Sequence, residues 1–287
     1  TGSHSLHLAH AFGIYPNAIR DSVISLGDDA FAFCIGRHIT ICDHVRHRQS
    51  FLPRDSKNRI ITAVTKSLNG KFLAVAERQG AEEGSAQVSI LNAPKTDGFH
   101  DLSSSKAEAK DTIIKCMHPA NRRVDIVGLA FTADAKFLVS LSAPPDTTVT
   151  YWRWEIAAAV ASHDIKLPVT RLQVNPKNGN ELSISGPSYL RLWEYNPNDH
   201  HLKEHPSMFS LKQEKQMHVV DHCWVLHKFL AAATEDGHVH LFGEGEHQQK
   251  VDVRSIIAKD EAGGQREAER EQAKLLQNVL GSGGPGR

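Results

Sequence analysis

Histidine and cysteine side chains are the first residues of this sequence that could do chemistry, because both coordinate transition metals. The 287 residues include 18 histidines and four cysteines. Two local clusters stand out, which are Cys42 with His44 and His47, and His200 with His201 and His205. A structural zinc site needs four converging nitrogen or sulfur ligands, and a catalytic one needs three plus water. Neither cluster supplies four ligands at zinc-finger spacing, so we interpret both as surface histidines and keep metal binding as the alternative.

Motifs for nucleophilic or phosphate chemistry are not found in the sequence. It contains no G-x-S-x-G, no H-E-x-x-H and no G-x-x-x-x-G-K-[ST] pattern. The acid pairs Asp28-Asp29 and Glu82-Glu83 fall in predicted turns and are most simply solvated charges. We therefore predict a protein that is not an enzyme and that needs no cofactor or metal. A hydrolase or metalloenzyme is the competing hypothesis.

Basic residues gather near the beginning of the chain and form a candidate partner-contact patch. Its members are Arg37, Arg46, Arg48, Arg54, Lys57 and Arg59. The chain as a whole has 33 basic and 33 acidic residues, so it lacks the overall positive charge typical of nucleic-acid binding. The patch is predicted to be either a solvated edge or a contact surface for an acidic partner, such as a microtubule wall. We expect no nucleic acid partner.

Two aromatic stretches, TVTYWRWE and YLRLWEY, could either bind a ligand or be two copies of one structural repeat. Aligning them by alternation matches Trp152 to Trp193, and Trp154 to Tyr195. Trp152 is then a repeat position that we expect to pack between neighbouring sheets. Trp154 lies just past the repeat and is the aromatic candidate for partner contact.

Five short segments share an apolar, polar, apolar, bulky pattern. They are Ile39–Cys42, Val88–Leu91, Val149–Trp152, Leu190–Trp193 and Val239–Phe242. Period-two alternation is typical of β-strands. Each segment follows a second apolar run, and most pairs follow a third, with turn sequences such as Glu235-Asp236-Gly237-His238 between them. The segments recur at about 40–60 residues, close to the roughly 40–45 of a WD-repeat propeller blade.

The sequence therefore predicts an all-β protein, a WD-repeat β-propeller with about five visible blades. We expect an incomplete part of a larger propeller, with a five-bladed ring as the alternative, because the chain begins without methionine and ends in a linker-like GSGGPGR. The blades are assigned to residues 1–257, with a polar insertion at about 94–123, and His7–Phe12 is a candidate outer strand for a later blade. Residues 258–287 are read as a polar linker whose helical segment, Gln265–Leu280, is either frayed or partner-binding.

Bulk properties exclude one further class. No apolar run approaches the roughly 20 residues that span a bilayer, and no secretory leader pattern is present, so we expect no membrane association. The cysteines Cys34, Cys42, Cys116 and Cys223 form no C-x-x-C pair, which favours free thiols in a reducing compartment.

Several segments, taken in order, resemble one family. They are His10–Gly13, Phe51–Pro53, Lys71–Glu77, Phe131–Glu155 and Asp221–Phe242. Together they are similar to the N-terminal WD-repeat region of the cilia- and flagella-associated protein 57 family. The sequence departs from regular WD repeats because Glu194 follows Trp193 where aspartate is usual, and Arg153 follows Trp152. No second propeller and no coiled coil are present in this chain.

The resemblance implies a structural protein of the motile axoneme, in cilia and flagella. Its expected partners are inner dynein arms, the dynein regulatory complex and tubulin, and its expected role is support of inner-arm assembly and motility. The alternative is a general cytoplasmic WD-repeat adaptor, in transport or in a ubiquitin-ligase complex.

Overall fold

A computed structural model describes residues 23–52, 59–79, 85–94, 113–206 and 217–257, and residue 274. Nearly all of the secondary structure in these ranges is β, arranged as five four-stranded sheets. A 3₁₀ turn at Trp154–Ile156 and a helical turn at 253–257 interrupt it. The predicted all-β, five-blade propeller arrangement is confirmed. The outer strand proposed at His7–Phe12 and the helix proposed at Gln265–Leu280 lie outside the described residues, apart from Lys274.

Each sheet, called a blade here, is built from four strands that are consecutive in the chain. Blade 1 consists of β1 (Val23–Ser25), β2 (Ala30–Ile35), β3 (His38–Asp43) and β4 (Arg48–Phe51). Blade 2 consists of β5 (Arg59–Lys66), β6 (Phe72–Gln79), β7 (Ala86–Asn92) and β8 (Ile113–Met117). Blade 3 consists of β9 (Ile126–Phe131), β10 (Leu138–Ser142), β11 (Thr148–Arg153) and β12 (Ala158–Asp164).

Blades 4 and 5 repeat this order. Blade 4 consists of β13 (Arg171–Val174), β14 (Glu181–Gly186), β15 (Tyr189–Asn196) and β16 (His201–Glu204). Blade 5 consists of β17 (Val219–Val225), β18 (Phe229–Thr234), β19 (His238–Gly243) and β20 (Glu246–Asp252). The spatial order in every blade follows the sequence, so each blade is a meander. In blades 2 to 4 the first strands contact one another, β9 against both β5 and β13.

The fourth strand of each blade is the element that sequence patterning missed. In blade 5 it reads EHQQKVD, and in blade 4 it reads HLKE. These two strands carry polar side chains because much of their surface remains exposed, so they lack the apolar run that marks the other strands of their blades. The fourth strand of blade 2, Ile113–Met117, lies inside the stretch that was read as an insertion at about 94–123. That part of the stretch is a blade strand, and residues 95–112 lie outside the described residues.

A hydroxyl-centred turn recurs at three strand connections. Its sequences are Ser67-Leu68-Asn69-Gly70, Thr132-Ala133-Asp134-Ala135 and Thr234-Glu235-Asp236-Gly237. In each copy the hydroxyl donates to the Asn or Asp side chain two residues later, at 2.7, 2.7 and 2.5 Å. The fourth residue has a positive φ of 72°, 56° and 85°, which costs glycine less than alanine. Burial opposes ionisation of Asp134, but hydrogen bonds from Thr132 and Lys136 outweigh it and lower the pKa of that carboxyl.

The described part of the chain divides into two compact units. The first contains the residues up to Ile184 together with Trp193–Glu204. The second contains Ser185–Leu192 and the residues from His205 onward, with a core of Leu190, Val219, Leu230, Ala232 and Phe242.

Side chains between blades supply most of the core of the first unit. One cluster joins Ala74, Val88 and Ile90 of blade 2 to Phe131, Leu138 and Trp152 of blade 3. Trp152 is 4% exposed, and its indole N–H donates to the Ser140 hydroxyl at 2.8 Å. The prediction that Trp152 packs between blades is confirmed.

Blades 3 and 4 pack through a second aromatic group. The rings of Tyr151 and Tyr195 stack with their centroids 4.2 Å apart, and Phe137 lies within 6 Å of both. The Tyr151 hydroxyl donates to the carbonyl oxygen of Gly179, and burial raises the pKa of that phenol. The Tyr195 hydroxyl is 2.7 Å from His200 Nδ1.

Removing one turn hydroxyl should weaken the fold. In Thr132→Val the part-buried Phe137 N–H, which donates to Thr132 Oγ1 at 3.1 Å, loses its acceptor. We expect a loss of about 1–3 kcal/mol, measured as a lower urea midpoint. The control is Thr150→Val, whose hydroxyl makes only an exposed contact with Ser162 at 3.3 Å. Equal midpoints for the two variants would contradict a stabilising role of the turn.

Candidate functional site

The predicted basic patch lies in blade 1 and in the segment that leads from blade 1 to blade 2. Arg37 lies in the exposed turn between β2 and β3, and Arg46 lies in the exposed turn between β3 and β4. Arg48 is the exposed first residue of β4, and Arg59 is the half-buried first residue of β5. Arg54 and Lys57 lie outside the described residues.

The structure separates these residues instead of gathering them. In the β2–β3 pair, Ile35 lies opposite His38 at one end, and Ala30 lies opposite Asp43 at the other. A strand rises about 3.3 Å per residue, so the ends of these six-residue strands are roughly 17 Å apart. Arg37 is at the first end, together with β5, because Ile61 N–H donates to the Gly36 carbonyl at 3.3 Å. Arg46 and Arg48 are at the opposite end.

Arg46 is also committed to its own turn. Its guanidinium lies 2.8 Å from Asp43 Oδ2, and its backbone N–H donates to Asp43 Oδ1 at 2.8 Å. The backbone N–H of Arg46, followed by its guanidinium, lowers the pKa of the Asp43 carboxyl. This pair stabilises the β3–β4 turn, which makes Arg46 a weaker candidate for partner contact than Arg37.

Trp154 is not a surface residue, and the prediction that it contacts a partner is wrong. The chain leaves β11 at Arg153 and enters a 3₁₀ turn, which closes through Ala157 in the left-handed conformation. This turn folds the indole back into the cluster between blades 2 and 3, where it is 4% exposed. Its N–H donates to the Ala135 carbonyl at 2.7 Å, and its ring lies 4.9 Å from that of Phe72. Sequence alternation could not show this reversal because the turn breaks the strand's period.

The histidine and cysteine clusters do not converge. Among the residues that the structure describes, no three His, Cys, Asp or Glu side chains are arranged to hold a metal ion. His44 and His47 lie exposed in the β3–β4 turn, and His200 contacts Tyr195. None of the four cysteines, all within the described residues, is in a disulfide, and of the four Cys34 is buried.

A contact in blade 5 between the buried His240 and the exposed His247 was missed by the sequence reasoning. His240 Nδ1 lies 3.0 Å from His247 Nε2, and His240 is 1% exposed. Alternation predicted Val239 and Leu241 as the buried side of this strand, whereas His240 and Phe242 are buried and the other two are half-buried. Burial, and then the charges of His247 and Lys250, lower the pKa of His240 to about 4. The pair joins β19 to β20, and the low pKa of His240 keeps its imidazole neutral.

A pair in which both residues are buried resembles a nucleophile and its base. Ser185 Oγ lies 2.6 Å from His222 Nδ1, and both residues are at most 2% exposed. A catalytic serine must reach a substrate, but this hydroxyl is enclosed. The contact is a hydrogen bond between β14 and β17 that stabilises the second unit.

A small cavity lies among the first strands of blades 2, 3 and 4. Its volume is about 10 Å³, and residues from β5, β9 and the approach to β13 line it, including Val64, Gly128 and Arg171. This is room for about one water molecule and not for an organic cofactor.

No helix in the described ranges is both long and apolar enough to cross a bilayer.

Comparison with known proteins gives distant relatives. The chain is 20% identical over 247 residues to cilia- and flagella-associated protein 57 of Mus musculus, which is 85% of this chain and 18% of that protein. It is 25% identical over 193 residues to WD repeat-containing protein 90 of Mus musculus, which is 67% of this chain and 9% of that protein. The chain therefore spans less than a fifth of either relative. No protein-family model matches the chain.

Solved structures agree on the fold. The β-propeller domain of Myceliophteria thermophila Cps50 (Swd1) superposes with a TM-score of 0.50 at 15% identity, over 67% of this chain and 55% of that one. The WD40 β-propeller domain of Doa1 superposes with a TM-score of 0.53 at 12% identity, over 79% of this chain and 66% of that one.

Truncating Trp154 should destabilise the protein, because the indole is packed between two blades and its N–H is bonded. For Trp154→Ala we expect a loss of about 3–5 kcal/mol in urea unfolding, and for Trp154→Phe a smaller loss of about 1–2 kcal/mol. A Trp154→Ala protein as stable as the wild type would mean that the ring is a surface group after all.

The histidine pair should make stability depend on pH. A folded-state pKa near 4, below the unfolded value of 6.5, means that the contribution of His240 is fully present above pH 6.5 and is lost as pH falls toward 4. Urea midpoints at pH 7.5 and pH 5 should therefore differ more for the wild type than for His240→Gln. The exposed His44→Gln serves as the control, and a pH difference unchanged in His240→Gln would contradict the assignment.

The fold and the comparisons agree: the chain has the blade arrangement of WD40 β-propellers and is similar in sequence to cilia- and flagella-associated protein 57 and to WD repeat-containing protein 90.

Proposed function

We propose that this chain is a non-catalytic structural scaffold of the motile ciliary or flagellar axoneme. It presents propeller surfaces to proteins of the inner dynein arms and the dynein regulatory complex, and to tubulin, and so supports inner-arm assembly and motility. The observation that carries the proposal is the similarity to cilia- and flagella-associated protein 57 over 85% of the chain.

The arrangement of polar groups supports a scaffold. The buried hydroxyls and imidazoles described above, such as those of Ser185 and His240, bond to neighbouring strands, between blades for Ser185 and within blade 5 for His240. Strand connections, in contrast, bring exposed charged residues to both ends of the blades. In a protein whose strands form a packed frame, partner contacts fall on these connections.

Localisation tests the axonemal part of the proposal. The full-length protein, fused to a fluorescent protein and expressed in multiciliated cells, should label axonemes and remain after detergent removes the membrane and soluble protein. The unfused fluorescent protein is the control and should be extracted. A diffuse cytosolic label that detergent extracts would contradict the proposal and favour the cytoplasmic adaptor.

Depletion tests the role in inner-arm assembly. Axonemes from cells that lack the protein should contain fewer inner-arm dynein subunits by quantitative mass spectrometry. Outer-arm subunits measured in the same samples are the internal control. Unchanged inner-arm content would overturn this part of the proposal.

A further inference from the structure

Five arginines lie at one end of blades 1 and 2. They are Arg37, Arg59, Arg78, Arg122 and Arg123, called the arginine face below. Arg37 is in the β2–β3 turn, Arg59 begins β5, Arg78 is the penultimate residue of β6, and the last two lie between β8 and β9. All are exposed except the half-buried Arg59. They are spread over 87 positions of sequence, and only the antiparallel strand order brings them to one end.

Hydrogen bonds connect the segments that carry these residues. The Ile61 N–H donates to the Gly36 carbonyl at 3.3 Å, which joins the turn of Arg37 to the strand of Arg59. An Arg59 guanidinium N–H lies 3.5 Å from the Ser85 carbonyl.

The same continuity extends to the other three arginines. Arg78 lies opposite Ile60 on one side and Ala86 on the other. The Ala86 N–H donates to the Arg122 carbonyl at 2.7 Å. The segments that carry the five arginines are therefore neighbours at one end of blades 1 and 2.

The charge of this surface is strongly positive. In the described segments that form it, the exposed or half-exposed acid is Asp125, 3.4 Å from the Arg78 guanidinium. Asp146 of the adjoining turn in blade 3 accepts from the Asn121 amide at 3.4 Å. Five guanidinium groups thus face two carboxylates. Residues 80–84, with Glu82 and Glu83, lie outside the described residues and are not counted as part of the surface.

We propose that the arginine face binds an acidic polypeptide segment, rich in glutamate or aspartate. Guanidinium groups pair with carboxylates through two parallel hydrogen bonds, and a row of them suits a flexible chain of repeated carboxylates. Ile60, 40% exposed at the same end, offers an apolar contact between the charges. The half-buried Phe51 ends β4 at this end, and its ring packs against His38 with the centroids 6.1 Å apart. This partly covered ring does not form the row of exposed aromatic platforms on which bases of single-stranded nucleic acid stack, which favours polypeptide.

The arginine face contains two members of the sequence-predicted patch, Arg37 and Arg59, and does not include the others. Arg46 and Arg48 lie at the opposite end of blade 1. The inference rests on the proposed function only in that both require a protein-binding surface. Peptide binding by the purified protein tests the surface, whereas localisation tests the axoneme, so either can fail alone.

The test measures binding of a fluorescent peptide of ten glutamates by anisotropy, at about 50 mM and 150 mM salt. The test variant is Arg37→Glu/Arg122→Glu/Arg123→Glu in the full chain. The matched control is Arg48→Glu/Lys71→Glu/Lys177→Glu, which makes the same charge change at exposed positions at the other end of the blades. We expect the test variant to weaken binding at least about tenfold, and the control less than about threefold.

Circular dichroism and urea midpoints establish that both variants are folded before binding is compared. If the test variant is unfolded, the single variants Arg122→Glu and Arg123→Glu replace it, because each side chain is exposed on a connection. Equal weakening in both variants, or no peptide binding by the wild type, would overturn the proposal. So would a ten-nucleotide oligothymidine that binds more tightly than the peptide and shows the same loss.

Discussion

Burial of both faces of a blade is the constraint on which the first unit depends. A single four-stranded sheet has two faces. If both faces are exposed to water, the sheet cannot bury enough apolar surface to offset the conformational entropy that the chain loses on folding. Stacking blade 3 beside blade 2 encloses Trp152 and Trp154 with the small and branched residues of β6 and β7. Tyr151 and Tyr195 do the same between blades 3 and 4. Each blade is therefore stabilised by its neighbours, as expected for repeat architectures.

The same constraint explains why polar groups that look reactive are structural. Side chains on both faces of a blade enter an apolar layer, so a hydroxyl or imidazole there must find a hydrogen-bond partner. Ser140 accepts from Trp152, and Ser185 contacts His222. His240 meets the same requirement with His247, and its burial lowers its pKa, which keeps the imidazole neutral. Some of the histidines in this chain thus serve to connect neighbouring strands through hydrogen bonds.

Exposed charge, in contrast, is sorted by the direction of the strands. Turns between the second and third strands, and links from one blade to the next, share an end with the beginnings of the first strands. Turns between the third and fourth strands lie at the other end. Arg37 and Arg46, nine positions apart, are therefore on opposite ends, whereas Arg37 and Arg122 share one. A partner-binding surface on this fold is composed of connections from several blades.

The sequence by itself determined the repeat, the blade count among the described residues, and the strand role of Trp152. Local patterns were enough for these, because alternation and turn residues are encoded within a few positions. It missed the fourth strands, among them those of blades 4 and 5, whose exposed polar residues carry no apolar period. It misassigned Trp154, because one 3₁₀ turn after β11 reverses the direction of the ring. Only the tertiary structure decided which arginines share a surface and which face of β19 is buried, since both follow from packing between strands that are distant in sequence.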